Sequence, residues 1–381
     1  MNTVQEVFKK NYQEYADTNK LSDQQQKVAY NVLNCHTEAM GANVRFCEEC
    51  GHIETHYNSC RNRHCPSCQG INKDVWADAR MEDTINAPYF HVVFTVPEQL
   101  KMIIYQNKEV TYNLLYKATA ETIFELSNNK KYLGAKPGFF SVLHTWTQDL
   151  RYHPHIHTVL IGGGLTKIKH WRSSGKKFFL PVKVLAKLFR GKFLAVLKSL
   201  YNDGKLDFYS SISELNDVNA FNMLLSEVYK IDWYTYIKDT FSGSSDVVEY
   251  LARYTHRVAI SNNRIVRVGE NTVTFKVRDR KATGELKQVT LDCHEFIRRF
   301  LMHVLPKGFV KIRYYGILAS RNKKTLLVLC IKLTNTIEHK SKLKNLNKVE
   351  ILFVLYKIDI NLCPCCKIGK LIPLSARCNS S

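Results

Sequence analysis

Two kinds of ligand-bearing side chain recur in this chain at spacings that suit metal ions. The first is in His153-Pro154-His155-Ile156-His157, followed by Thr158-Val159-Leu160-Ile161 and closed by Gly162-Gly163-Gly164. A β-branched, apolar run bounded by glycines predicts a strand. Residues two apart on a strand share a face, so His155 and His157 point the same way while Ile156 packs behind them. Two neutral imidazoles one strand repeat apart can grip a single divalent cation. The second is a pair of knuckles, Cys47-x-x-Cys50 and Cys65-x-x-Cys68, separated by fourteen residues. Each bends two thiolates toward one ion, and together they predict a tetrahedral zinc shell of Cys47, Cys50, Cys65 and Cys68. Cys60, His52, His56 and His64 lie close enough in sequence to substitute in it.

A third pattern is Ser244-Ser245-Asp246-Val247-Val248-Glu249-Tyr250-Leu251-Ala252-Arg253-Tyr254-Thr255-His256-Arg257. Asp246 with Glu249 three residues on resembles a helix-capping box. Tyr250 and Tyr254 would then stand on one face of the helix, one turn apart. Core packing is the ordinary fate of such a pair. Arg253, His256 and Arg257 place positive charge beside it.

The charge balance points to a polyanion. Fifty-five basic and 34 acidic residues leave a formal charge of +21 over 381 residues, an excess that nucleic acid commonly offsets. Arg298 to Lys324 holds eight basic residues and no acidic one, interleaved with Phe300, Phe309, Tyr314 and Tyr315. Phosphate contact from Arg298, Arg299, Lys311 and Arg313, with bases stacked on the aromatics, is the expectation. Arg61 and Arg63, beside the second knuckle, suit phosphates or bases too. No run of 18 apolar residues occurs, so no membrane span is expected. The polar N-terminus does not resemble a signal peptide, which implies a cytoplasmic protein with reduced cysteines. Five of the twelve cysteines lie between Cys47 and Cys68, as metal binding requires and a disulfide framework does not.

The elements that must position these residues follow from periodicity. Residues 1 to 40 read as helical, followed by the cysteine segment and a helical connector from Asn72 to Glu82. Tyr89 to Val96 is a strand, Leu100 to Leu126 a helix, Gly138 to His144 a second strand and His155 to Ile161 a third. This order implies an α+β domain on an antiparallel sheet. Gln148 and Asp149 fall in the loop between the second and third strands, where either could approach a metal. Val182 to Leu200 reads as an inserted basic helix able to lie along DNA, and 206–245 as irregular apart from Met223 to Tyr229. Val266 to Val277 alternates as strands, Glu295 to Leu305 is a helix, and Val310 to Leu318 a strand. Residues 335–350 are rich in Lys and Asn and expected to be exposed. Cys363, Cys365 and Cys366 offer part of a further zinc shell, which Cys378 could join.

The cysteine segment, YFHVVFTVP, HTWTQDLRYHPHIH, EYLARYTHRVAISNNRI and RRFLMHVLPKGFVKIRYYG occur here in that order. Together they resemble the two-tyrosine HUH rolling-circle transposases of the insertion-sequence ninety-one type, from about Cys47 to about Leu318. The resemblance implies a zinc-binding domain over 1–75, a HUH nuclease domain over 76–325 and a basic tail with a cysteine knuckle over 326–381. It further implies Mg2+ or Mn2+ on His155 and His157, with Tyr250 and Tyr254 as nucleophiles that cut single-stranded DNA and stay joined to its 5′ phosphate. Gln148 and Glu249 are candidates for a third metal ligand, and His153 has no counterpart in the motif. Two other readings stay open: a HUH replication initiator, and a non-catalytic zinc-containing DNA-binding protein.

Overall fold

The computed structural model describes residues 2–68, 70–175, 179–238, 258–278 and 284–374. Its largest element is an antiparallel sheet of β3 (Tyr89–Thr95), β4 (Lys136–Trp146), β5 (Tyr152–Leu165), β7 (Thr235–Lys238) and β11 (Ile312–Gly316). Their order across the sheet is β11–β4–β5–β3–β7. β6 (Trp171–Ser173) pairs with the far end of β5, where the glycine run is needed. A Cβ on Gly163 would lie 2.4 Å from the Trp171 ring, and one on Gly164 would lie 2.5 Å from the Lys136 carbonyl oxygen. The chain is thus α+β with an antiparallel sheet, as its sequence implies.

One face of this sheet is mostly apolar, its polar pair Ser141 and Thr158 bonded to each other at 2.8 Å. Phe94, Phe139, Leu143, Ile156 and Leu160 are buried there. They pack under α5 (Lys108–Asn128) and α6 (Val182–Asn202). α6 contributes Leu185, Phe189, Phe193, Leu194 and Leu197 to the same core. Each such side chain contributes on the order of 1.5–3 kcal/mol on burial. The helix expected to lie along DNA is therefore a core element of the sheet's back layer. The stretch expected to be irregular is ordered over its described part, as far as Lys238. It holds α7 (Val218–Lys230), capped by the Asp217 carboxylate, and then edge strand β7. The expected 100–126 helix is split at Asn107 into α4 (Lys101–Gln106) and α5.

The opposite face is divided. Its outer half carries Tyr89, Phe140, Val142, Val159 and Ile161, which pack with Leu327 and Cys330 and with Trp76 of α3 (Gly70–Met81). Its other half carries histidines.

A second core joins distant parts of the sequence. α1 (Val4–Thr18) and α2 (Asp23–Asn34) pack with a small sheet of β8 (Ile265–Val268), β9 (Thr272–Arg278) and β10 (Leu286–Asp292), and with the helix Cys293–Met302. Phe8 meets Phe300 edge-on at 5.2 Å. Ser22 and Gln25 form a capping box that starts α2, so the expected helical stretch is a pair of helices.

As far as Leu374 the C-terminal segment packs on the rest of the chain. After the helix Val328–Leu333 it runs across the acidic side of α3. Asp78 accepts the backbone N–H groups of Lys342 (3.2 Å) and Leu343 (3.0 Å), and Lys323 pairs with Asp83 at 2.6 Å. Its last strand, β12 (Leu371–Pro373), then pairs with β1 (Ala42–Cys47), whose other neighbour is β2 (Ile53–Tyr57). Among the described residues no helix is long and apolar enough to cross a membrane.

Candidate active site

His155 and His157 sit on β5, the central strand, and the sheet register gathers more imidazoles around them. His144 of β4 lies directly opposite His155. His91 of β3 lies opposite Val159, one repeat from His157. The ligand nitrogens of His144, His155 and His157 all fall within 4.8 Å of one another, close enough for one ion to bridge them with small ring movements. His155 Nδ1 lies 2.6 Å from the His153 carbonyl oxygen. A carbonyl only accepts, so Nδ1 carries the proton and Nε2 the lone pair. His157 Nδ1 and His91 Nε2 share a hydrogen bond of 2.8 Å, and their rings are parallel within 7°. His153 and His91 thus stand behind the two motif histidines and fix their ring orientation, as outer partners of metal-binding histidines do.

The third-ligand candidates from the sequence fare differently. Asp149 is occupied by Arg151 (2.7 Å) and the Thr147 hydroxyl, and these partners hold its carboxyl below the usual range against the opposing effect of burial. Gln148 offers its backbone carbonyl to Arg264. Glu249 lies outside the described residues, as do Tyr250, Tyr254, Arg253, Arg257 and Cys378. His144 is the member of the cluster that sequence reasoning misses. Its strand is legible, but which residue of β4 faces His155 depends on a register that spacing along the chain does not contain.

Next to the histidines opens a cavity of about 460 Å³ between the second-knuckle loop and the sheet. Arg61, Arg63, His64, Trp146, Phe309 and Lys311 are among its walls. Trp146 connects it to the metal-ligand cluster, stacking on His144 at 4.7 Å, with the Lys311 ammonium 5.2 Å from the Trp146 ring centre. The floor holds His303, 2% exposed and pushed down to about 3 by burial. Its Nε2–H donates to the Leu150 carbonyl (3.0 Å), leaving Nδ1 to accept the Thr145 hydroxyl (3.1 Å). His64 is held down to about 3 by burial, then by the Lys311 and Arg63 charges, and its Nε2 accepts the Leu305 N–H. Lys108 spans the same region beneath. Burial lowers it to about 8, and it donates to the Met302 and Val304 carbonyls at the end of the helix Cys293–Met302.

The expected basic face from Arg298 to Lys324 is dispersed. Arg298 and Arg299 both pair with Glu295 at 2.6 Å. Arg313 donates to Asn113 and covers Tyr116, away from the cavity. Only Lys311 of the four named there lines the cavity, with Arg61 and Arg63 from the zinc loop. The interleaved aromatics pack inward: Phe300 and Phe309 are buried, and Tyr315 stacks on Phe139 at 4.9 Å. β11 itself carries a single basic residue, Arg313, so no basic run forms along that strand.

The cysteines form two clusters where the sequence suggests one. Cys65 and Cys68 join Cys35 and Cys60; Cys47 and Cys50 join Cys363 and Cys366. The expected shell of Cys47, Cys50, Cys65 and Cys68 is therefore not what the fold brings together. In the first cluster Cys68 Sγ lies 3.5 Å from Cys35 Sγ and 3.6 Å from Cys60 Sγ. Zinc at about 2.3 Å from each sulfur of a tetrahedron requires sulfurs about 3.8 Å apart, so this donor set fits structural zinc. Hydrogen bonds among the four sulfurs lower the thiols of Cys35 and Cys68 and raise those of Cys60 and Cys65.

Cysteine clusters, a histidine-bearing sheet and a basic, aromatic cavity between them define a zinc-containing protein built to handle nucleic acid. The family model described as "Transposase zinc-binding domain" matches residues 7–96, and the one described as "Putative transposase" matches 138–325. The chain is 44% identical over 329 residues to "Putative transposase y4qJ" of Sinorhizobium fredii, covering 86% of this chain and 83% of that one. It is 24% identical over 307 residues to "Transposase for insertion sequence element IS801" of Pseudomonas savastanoi pv. phaseolicola, covering 79% and 72%. No solved structure matches. The chain belongs to the transposases of the insertion-sequence ninety-one type, with an N-terminal zinc-binding domain.

Proposed function

We propose that this transposase is a HUH enzyme that cuts and rejoins single-stranded DNA through a 5′-phosphotyrosine, with Tyr250 and Tyr254 as nucleophiles. The observation that carries the reading is the group of three imidazoles, His144, His155 and His157, on the histidine-bearing half of the sheet beside the basic cavity. They would hold a divalent cation, and of the two ions the resemblance implies, Mn2+ suits nitrogen donors better than Mg2+, which prefers oxygen. When bound, the cation would supply positive charge to the scissile phosphate and its transition state. His153 and His91 keep the His155 and His157 rings in the tautomer that presents Nε2, if the His157–His91 proton rests on His157 Nδ1.

The ends of the tyrosine-bearing segment support the assignment. β7 ends at Lys238, opposite His91, and Val258 lines the cavity. Val258 is four residues beyond Tyr254, and four residues span at most about 14 Å. Arg61, Arg63 and Lys311 would meet the phosphates of a strand in the cavity, and Trp146 offers a face for a base.

The chemistry balances without an outside energy source. The tyrosine oxygen attacks phosphorus, the bond to the 3′ oxygen breaks, and that oxygen leaves as a hydroxyl with the proton the phenol gives up. A 3′-hydroxyl reverses the step on the same phosphotyrosine. Two tyrosines allow a second cut while the first is loaded. Membership in a family whose curated relatives are named transposases favours transposon ends over a replication origin. The test uses labelled single strands bearing the element's own ends, with Mn2+, resolved on a denaturing gel. A covalent protein–DNA adduct is expected from the native chain and none from the Tyr250→Phe/Tyr254→Phe double variant. Undiminished adduct in that variant removes both tyrosines from the mechanism.

A further inference from the structure

We propose that Cys47, Cys50, Cys363 and Cys366 bind a second zinc ion that fastens the C-terminal segment to the N-terminal domain. The first cluster, Cys35 to Cys68, lies wholly within the residues matched by the zinc-binding family model. The second does not: half its sulfurs come from residues more than 250 positions beyond the end of that match.

The geometry is that of a metal shell. Cys47 Sγ lies 3.7 Å from Cys366 Sγ, and Cys50 Sγ lies 3.6 Å from Cys363 Sγ. Both separations sit near the roughly 3.8 Å edge of a zinc–sulfur tetrahedron and far from the roughly 2.05 Å of a disulfide. The two knuckles are also built alike. Gly51 N–H donates to the Cys47 carbonyl (2.9 Å), and Lys367 N–H donates to the Cys363 carbonyl (3.0 Å). Gly51 and Lys367, each just after the second cysteine, take left-handed φ of +70° and +57°. Cys47 N–H and Cys363 N–H each donate at 2.8 Å to a carbonyl past the turn, those of His52 and Gly369. Two matched turns facing each other, each offering two sulfurs, make a complete site.

A further requirement appears at Gly369. A Cβ there would lie 2.4 Å from Cys47 Sγ and 2.7 Å from Glu49 Cγ, so only glycine lets the second knuckle close on the first. Its N–H donates to Cys366 Sγ at 3.3 Å, a bond that favours the thiolate. Cys365, between the two ligands, is exposed and outside the cluster. The ion would thus secure the β1–β12 pairing and, through it, the segment lying along the acidic side of α3.

Native mass spectrometry of the full chain, expressed with zinc and kept reduced, reads the number of ions directly. Two zinc ions per chain are expected for the native protein and for Cys365→Ser, and one for Cys363→Ser/Cys366→Ser. One ion in the native protein, or two in the double variant, overturns the proposal. A ligand-preserving change guards against misfolding. With cobalt in place of zinc, Cys366→His should keep two ions and shift the visible absorption of one, because one sulfur becomes nitrogen. An unshifted spectrum with both ions retained would show that Cys366 is not a ligand.

Discussion

Replacing His303 by glutamine should flatten the acid side of the stability profile. The buried imidazole is neutral in the folded protein, its pKa lowered to about 3, while in the unfolded chain it returns to the ordinary value near 6.5. Between those values the unfolded state binds the extra proton, so stability falls as pH drops through that window and is fully present above it. At about 1.4 kcal/mol per pH unit the loss is about 2 kcal/mol at pH 5 and about 4 kcal/mol at pH 3. Glutamine can donate to the Leu150 carbonyl and accept the Thr145 hydroxyl, the two bonds His303 makes, yet it does not titrate. Urea unfolding at half-unit steps from pH 7 to 4.5 measures the slope for each protein. The His303→Gln slope should be shallower by about 1.4 kcal/mol per unit below pH 6. His64, also lowered to about 3, contributes the same-signed slope in both and so cancels from the difference. Parallel profiles would mean that His303 is protonated in the folded state and that its Nδ1 does not accept the Thr145 hydroxyl.

Two other expectations concern the site and its supports. His91→Phe keeps a ring but loses the 2.8 Å bond to His157, and should weaken Mn2+ binding about 10- to 100-fold, read by titration calorimetry. Gln148→Ala should leave that affinity unchanged, and an equal loss in both would return the third-ligand role to the loop. Tyr116→Phe removes a buried hydroxyl that accepts the Leu143 N–H at 2.8 Å and donates to the Lys311 carbonyl. It should cost on the order of 1–3 kcal/mol in denaturant unfolding, and a change under about 0.3 kcal/mol would contradict the pairing.

What the sequence discloses depends on how local each signal is. A two-residue alternation suffices to put His155 and His157 on one face, and the strand containing His144 is equally plain. The pairing of His144 with His155 is not, because it is set by the β4–β5 register. The cysteines show the same limit. Spacing correctly marks Cys47–Cys50 and Cys65–Cys68 as knuckles, but it favours the neighbour in sequence, and Cys50 meets Cys363 across 313 positions. The apolar stripe of α6 is legible down to Leu185, Phe189 and Phe193, yet a stripe says which side is buried and not what buries it. Its basic outer side suggests DNA where the partner is α5 and the sheet. β7, four residues long at the sheet edge, lacks the length that makes alternation recognisable.

The pairing of β1 with β12 also bears on the order in which the molecule assembles. β4 and β5 are joined by a tight loop and can zip together early, and α1 with α2 needs only neighbouring chain. β1 has one partner made at once, β2, and another synthesised more than 300 residues later. That sheet is therefore completed late, and a chain interrupted before Cys363 would carry the histidine strands beside a cysteine domain that lacked its third strand.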